Sequence, residues 1–189
     1  MKKPITPVLQ KSISSIFPDK RVQTLAGIIV LFLVGMMAML LHAKLRVPLH
    51  LPGKQGLLFM FLIVSSSLMS GFRFSTLIAT TGSAALLLTG FGGFSDPFMP
   101  VYYVVLGVMM DLLLDSSSSS SGKAWFIGLA GALSFSVIPL SRALIAFLTG
   151  LPFPSLLNGV AYPWLTHLLF GFLGSYLAAL AVKSAVPEK

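Results

Sequence analysis

The sequence predicts an all-α, polytopic membrane protein: six transmembrane helices in one bundle, with N- and C-termini cytoplasmic. Three observations carry this expectation. Of 189 residues, 56% are hydrophobic and only 10% charged, against nearer half and a quarter in a soluble domain, and the mean hydropathy is +0.92. Apolar runs of about 20 residues, the length that crosses a hydrocarbon layer roughly 30 Å thick, recur along the chain. The charges gather in the connections between those runs.

Val22–Ala43 is free of Lys, Arg, Asp and Glu and is bracketed by Arg21 and Lys44, which makes it the first span. The second runs Gln55–Phe72 and ends at Arg73, around which the third, Phe74 to about Phe91, turns back. A Gly/Pro-rich turn, GFGGFSDPFMP, leads to the fourth span, Phe98–Leu114, which carries Asp111. The fifth runs from Ala124 to about Leu148 with Pro139 and Arg142 near its end, and the sixth is Gly159–Val182. This divides the chain into a basic cytoplasmic N-terminal segment (1–21), a six-helix membrane domain (22–183) and a cytoplasmic tail (184–189). The basic start lacks an apolar signal core, and no small-residue cleavage site follows the first run, so that run reads as a retained span. Within Pro7–Phe17, Val8, Leu9, Ile13, Ile16 and Phe17 recur at helical spacing. That segment either lies on the membrane surface or a partner, or is a solvated basic tail.

The formal charge of +8 would suggest nucleic acid on a soluble protein, but the few charges are dispersed and form no dense basic stripe. No nucleic-acid partner is expected. Orientation follows the cationic residues. With both ends inside, Lys2, Lys3, Lys11, Lys20, Arg21, Arg73, Lys123, Lys183 and Lys189 lie inside, leaving Lys44, Arg46, Lys54 and Arg142 outside. The expected location is the cell inner (plasma) membrane, multi-pass. Three of the outer cations share the first outer loop, a local breach of the positive-inside pattern.

Enzyme chemistry is not expected, and no catalytic residue, cofactor or metal is assigned. The chain has no cysteine, so thiolate nucleophiles and Cys-type metal sites are excluded. A rhomboid-type intramembrane protease needs a nucleophilic serine in the fourth span, which contains none. His42, His50 and His167 are too scattered in sequence to argue a metal site. The run of six serines, Ser116–Ser121, ends in Gly122-Lys123 but lacks the first glycine, the following Ser/Thr and the strand of a phosphate loop; it reads as an inner linker.

Ionisable groups inside spans are functional candidates by default. His167 shares a helical face with Gly171, Gly174 and Ala178, a small-residue stripe that faces another helix. It therefore points into the bundle, either toward a ligand or into a hydrogen bond with a neighbouring helix. Ala124, Gly128, Ala132 and Ser136 form a second such stripe on the fifth span. Arg142, on nearly the same side, either snorkels to the surface or pairs with an anion, with snorkelling favoured. Asp111 reads as structural, pairing with Arg73 or Lys123. The first outer loop, Lys44 to Gly56, sets Arg46, His50, Lys54 and Gln55 between apolar side chains on a Pro/Gly backbone. It suits the rim or lid of a pocket, or an ordinary connection over the helix ends. Tyr102, Tyr103, Phe98, Tyr162 and Trp164 form an aromatic belt or line that pocket.

With six short spans, the loop segment Val-Pro-Leu-His-Leu-Pro-Gly-Lys and a fourth span written Leu-Gly-Val-Met-Met-Asp-Leu-Leu-Leu-Asp, the chain resembles the substrate-binding S components of energy-coupling factor (ECF) transporters. The resemblance implies a pocket near the outer face, capped by the first outer loop, and transport by toppling of the bundle, driven by ATPases on a separate coupling subunit. It places Arg46, His50, Lys54, Gln55, Asn158, Trp164 and His167 near the ligand; Arg142 joins them on its own chemistry. The family commonly docks through an Ala-x-x-x-Ala-type surface on the first helix, where this chain has Gly27, Gly35 and Ala38 among bulky residues. The stripes of the fifth and sixth spans, with Gly128, Ala132, Gly171 and Gly174, are the alternative docking surface. The expected function is capture of a small metabolite or vitamin-like ligand at the outer face, with the lipid bilayer, a coupling subunit and ATPases as partners. The alternative is a non-catalytic accessory subunit of a larger membrane complex.

Overall fold

A computed structural model of the chain describes residues 8–45, 51–91, 96–116, 123–157 and 159–185, and among these every regular element is helical. In order they are α1 (Val8–Ile16), α2 (Lys20–Lys44), α3 (Gly56–Ser70), α4 (Ser75–Leu88), α5 (Met99–Ser116), α6 (Ala124–Thr149), a 3-10 turn (Pro154–Leu156) and α7 (Ala161–Ala185). The serine-rich linker at 117–122 lies outside the described residues.

Three of these helices, α2, α6 and α7, are long and apolar enough to cross a bilayer, which marks a helical membrane protein. At 25 residues, α2 and α7 extend about 37 Å. The second and third expected spans are shorter as helices, at 15 and 14 residues, or about 22 and 21 Å. The reason is local. Gly71, Phe72 and Phe74 are apolar and so prolong a hydropathy run, but Gly71 at φ 67° and Phe74 at φ 61° are left-handed and build the turn.

The helices close into a ring, α2–α4–α5–α6–α7–α3 and back to α2. Lipid tails are as apolar as leucine, so hydrophobicity does not by itself press one membrane helix against another; close van der Waals approach does. Small residues make that approach. A Cβ on Gly35 would collide with the Ala79 carbonyl of α4, and one on Gly82 with the Phe32 carbonyl of α2. Ser83 Oγ donates to the Gly35 carbonyl at 2.8 Å across the same crossing. Gly174 meets the Leu57 carbonyl, while Gly131 and Gly171 bring α6 and α7 together. Gly128 lies under Phe172 and Tyr176 of α7, and Ala132 packs against Gly171.

The stripes expected as an alternative docking surface are thus consumed inside the bundle. Gly128, Ala132, Gly171 and Gly174 are all buried, as are Gly27, Gly35 and Ala38 of α2. The outward faces instead present Leu25, Leu33 and Met37 of α2, Leu129, Leu133 and Leu144 of α6, and Leu165, Leu169 and Leu177 of α7.

Contacts fix the directions. Gly27 lies by Phe72 and Gly35 by Ala79, so α2 and α4 run parallel; Gly128 lies by Tyr176 and Gly171 by Phe135, so α6 and α7 are antiparallel. His42 near the end of α2 and His167 near the start of α7 line one cavity, so the start of α2 and the end of α7 share the opposite end of the bundle. There α1 rests against α2 and α3, burying Ile13 and exposing Lys11, Ser12 and Ser14, so residues 8–16 are a docked amphipathic helix rather than a solvated tail.

Asp111 corrects an expectation at this end. It pairs with neither Arg73 nor Lys123. Its carboxylate accepts from the backbone N–H of Leu77 at 2.8 Å and of Thr76 at 3.2 Å, capping the first turn of α4, where amide groups lack partners within the helix. Arg73 instead pairs with Asp115 at 2.7 Å, both well exposed. Beside the Asp111 cap, Ser67 Oγ lies 2.6 Å from Ser75 Oγ and 2.9 Å from Thr76 Oγ1, all three buried.

Candidate functional site

At the other end of the ring the helix ends splay around a cavity of about 310 Å³, inside the size range of small-molecule sites. Its walls come from five directions: His42 at the end of α2, residues 51–55 before α3, Met99 and Tyr103 at the start of α5, Phe135, Ile138 and Arg142 on α6, and His167 on α7. Ser155 in the 3-10 turn completes the rim.

Leu51–Gln55 forms the cap. Gly53, at φ 74°, lets the chain turn in the left-handed region and brings its backbone onto the imidazole of His167; a Cβ there would sit 2.8 Å from His167 Nδ1. The cap is tied down at Gln55, whose Nε2 donates to the Leu45 carbonyl at 3.1 Å, and by a turn in which Gly56 N–H donates to the Gly53 carbonyl at 2.8 Å. Both Lys54 and Gln55 line the cavity.

His167 lies buried nearly two turns into α7. Its hydrogen bond goes to its own helix and not to a neighbour: Nδ1 is 2.7 Å from the Pro163 carbonyl. A carbonyl only accepts, so Nδ1 carries the proton, and Nε2 of the neutral ring is an acceptor. The ring stacks on Phe135, with centroids 4.9 Å apart and planes at 27°. Across the cavity, His42 meets Phe59 and Tyr103 edge-on at 5.7 and 6.4 Å, and Phe59 meets Tyr103 at 4.9 Å. Two imidazoles and two aromatic rings, those of Phe135 and Tyr103, therefore line one space, with Phe59 packed behind them.

Arg142 departs from the favoured expectation. It turns inward and does not snorkel. Nε donates to Asp96 Oδ2 at 2.8 Å, with side chains only 17% and 10% exposed. Nη2 lies 3.1 Å from Met99 Sδ, Nη1 3.5 Å from Ser155 Oγ, and the guanidinium sits 6.0 Å from the Tyr102 ring centroid. Asp96 is positioned by its other oxygen, which accepts from the Phe98 N–H at 3.0 Å and so caps the entry to α5.

Of the residues expected near a ligand, the structure brings Lys54, Gln55, Arg142 and His167 to this cavity. Trp164 is not in its wall; it is 37% exposed and faces outward like Tyr162, whereas Tyr102 and Tyr103 are buried. Of the expected aromatic group, Tyr103 lines the cavity. Arg46, His50 and Asn158 lie outside the described residues. Sequence reasoning passed over Phe135 and Asp96, and set His42 aside as too scattered from the other histidines for a metal site. A signal for two of them was present: Gly27, Leu31, Gly35 and Ala38 extend at the same spacing to His42, and Gly128, Ala132 extend to Phe135, Pro139 and Arg142. No group of three or more His, Asp or Glu able to hold a metal occurs among the described residues. No protein-family model matches the chain, and neither does a curated protein nor a solved structure.

Proposed function

We propose that the chain is a six-helix substrate-binding component of an ECF-type uptake transporter. In this reading it sits multi-pass in the plasma membrane with both ends cytoplasmic, and it captures a small metabolite in the cavity at the outer face. One observation carries the proposal: a cavity of about 310 Å³ lies beneath the Leu51–Gln55 segment that precedes α3, and Gly53 in that segment touches the imidazole of the last helix. A purely structural subunit has no use for an aromatic-walled cavity where membrane helices gain stability by close packing. The shared end of the α2 start and the α7 finish fits two cytoplasmic termini, and α5 with the short helices α3 and α4 would complete six spans inside the ring.

Binding is tested by thermal unfolding of the purified chain against a metabolite library, followed by uptake into vesicles containing a coupling subunit and its ATPases. A specific stabilising metabolite, lost in His167→Ala, supports the reading. Absence of any stabilising compound, with uptake unchanged in His167→Ala and Lys54→Ala, overturns it in favour of an accessory subunit. Because the chain has no cysteine, single Cys residues placed at 54 and 123 report orientation: labelling of the first from outside and of the second only after permeabilisation is the expected pattern.

A further inference from the structure

The guanidinium of Arg142 is held at one edge only. Nε makes a short charged bond to Asp96, whereas Nη1 and Nη2 reach only a serine hydroxyl at 3.5 Å and a thioether sulfur at 3.1 Å. Guanidinium has five N–H donors in a rigid fork that matches a carboxylate through two parallel bonds. A hydroxyl at the limit of hydrogen bonding and a weakly accepting sulfur leave most of that capacity unused, although the side chain is largely withdrawn from solvent and lines the cavity. Charge points the same way. Arg142 and Lys54 both line the cavity, so two cationic side chains face whatever enters it.

We propose that the Nη1–Nη2 edge of Arg142, presented by Asp96 on Nε, docks the carboxylate of a ligand whose apolar or ring-shaped body lies along His167, Phe135 and Tyr103. This rests on the binding role proposed above and names its substrate class. Asp96 acts as the positioning residue: it fixes the fork from behind, and Ser155 and Met99 yield their weak contacts when the carboxylate enters.

The test uses the full chain in lipid nanodiscs and three monocarboxylates, phenylacetate, 4-phenylbutyrate and octanoate, each against its primary amide, which keeps the shape and removes the charge. At least one acid is expected to bind about tenfold more tightly than its amide. Arg142→Lys, which keeps the charge but not the fork, is expected to lose that preference. The double variant Asp96→Asn with Arg142→Gln removes both charges without stranding either, so it remains foldable, and it is expected to bind acid and amide alike. Equal binding of acid and amide by the wild-type protein, no binding of any of the acids, or a preference that survives in both variants overturns the inference. The metabolite screen remains the separate measure of whether the cavity binds anything: a neutral or cationic compound that stabilises the protein and is indifferent to Arg142→Lys would sink the carboxylate assignment and leave the binding role standing.

Discussion

Asp111 on α5 and Arg142 on α6 are both charged side chains within apolar helices, and the two ends of the bundle use them in opposite ways. Around Asp111 both carboxylate oxygens are taken by the amides that open α4, and Ser67, Ser75 and Thr76 close a hydroxyl network beside it. Around Arg142 a single short ion pair is made, and the rest of the fork meets weak acceptors at the wall of a cavity. Buried polarity that is fully satisfied rigidifies a structure, whereas partly satisfied polarity is costly unless something else completes it. The first end therefore reads as a clamp, and the second as a site left open to a further hydrogen-bond partner. The comparison also explains why intramembrane charge alone is a poor guide to function: both residues are equally conspicuous in sequence, and only their partners separate them.

The sharpest way to break the comparison is Asp111→Ala. It leaves two buried amides of α4 without acceptors, and charged hydrogen bonds contribute about 1.5–3 kcal/mol each, so a loss of about 3 kcal/mol in reversible unfolding is expected with the remaining fold's cavity unchanged. A loss under about 1 kcal/mol would mean that water or the neighbouring hydroxyls already serve those amides. Next in size is Gly53→Ala at the cavity end. The left-handed backbone costs a residue with a Cβ about 1–2 kcal/mol, and the added methyl meets the His167 ring. The expected signature is weakened ligand binding that exceeds the change in unfolding free energy. Equal loss of both would make the cap an ordinary connection. The smallest effect is reserved for Arg73→Ala, because Arg73 and Asp115 are 72% and 57% exposed. Exposed ion pairs contribute about 0–1 kcal/mol, and a change below about 0.5 kcal/mol is expected by the same unfolding assay; a larger one would extend the clamp to the surface.

Much of this was legible in the residues. The long apolar runs became α2, α6 and α7 nearly as read, and the inward faces of α6 and α7 were visible as small-residue stripes, although their neighbour turned out to be the bundle itself. The short α3 and α4 were overread because phenylalanine and glycine in a turn count as apolar while ending helices. Asp96 was passed over as part of a Gly/Pro-rich turn, yet Asp immediately before Pro97 at the start of a helix is a capping signal. An arginine within a span at the same end of the bundle needed an acidic partner. His42 seemed isolated because its partners, Phe59, Tyr103 and the cavity it shares with His167, are distant in sequence.

Composition and periodicity by themselves determined that this chain is helical, belongs in a membrane, and which side of each long helix turns inward, because transfer from water and close helix approach depend on residue type and spacing alone. Which helix meets which, that Asp111 caps α4 while Asp96 holds Arg142, and that a cavity remains under Gly53, were decided only by the tertiary structure. Those are matters of three-dimensional distance between side chains far apart along the chain, and a hydrogen bond exists or fails within a few tenths of an ångström.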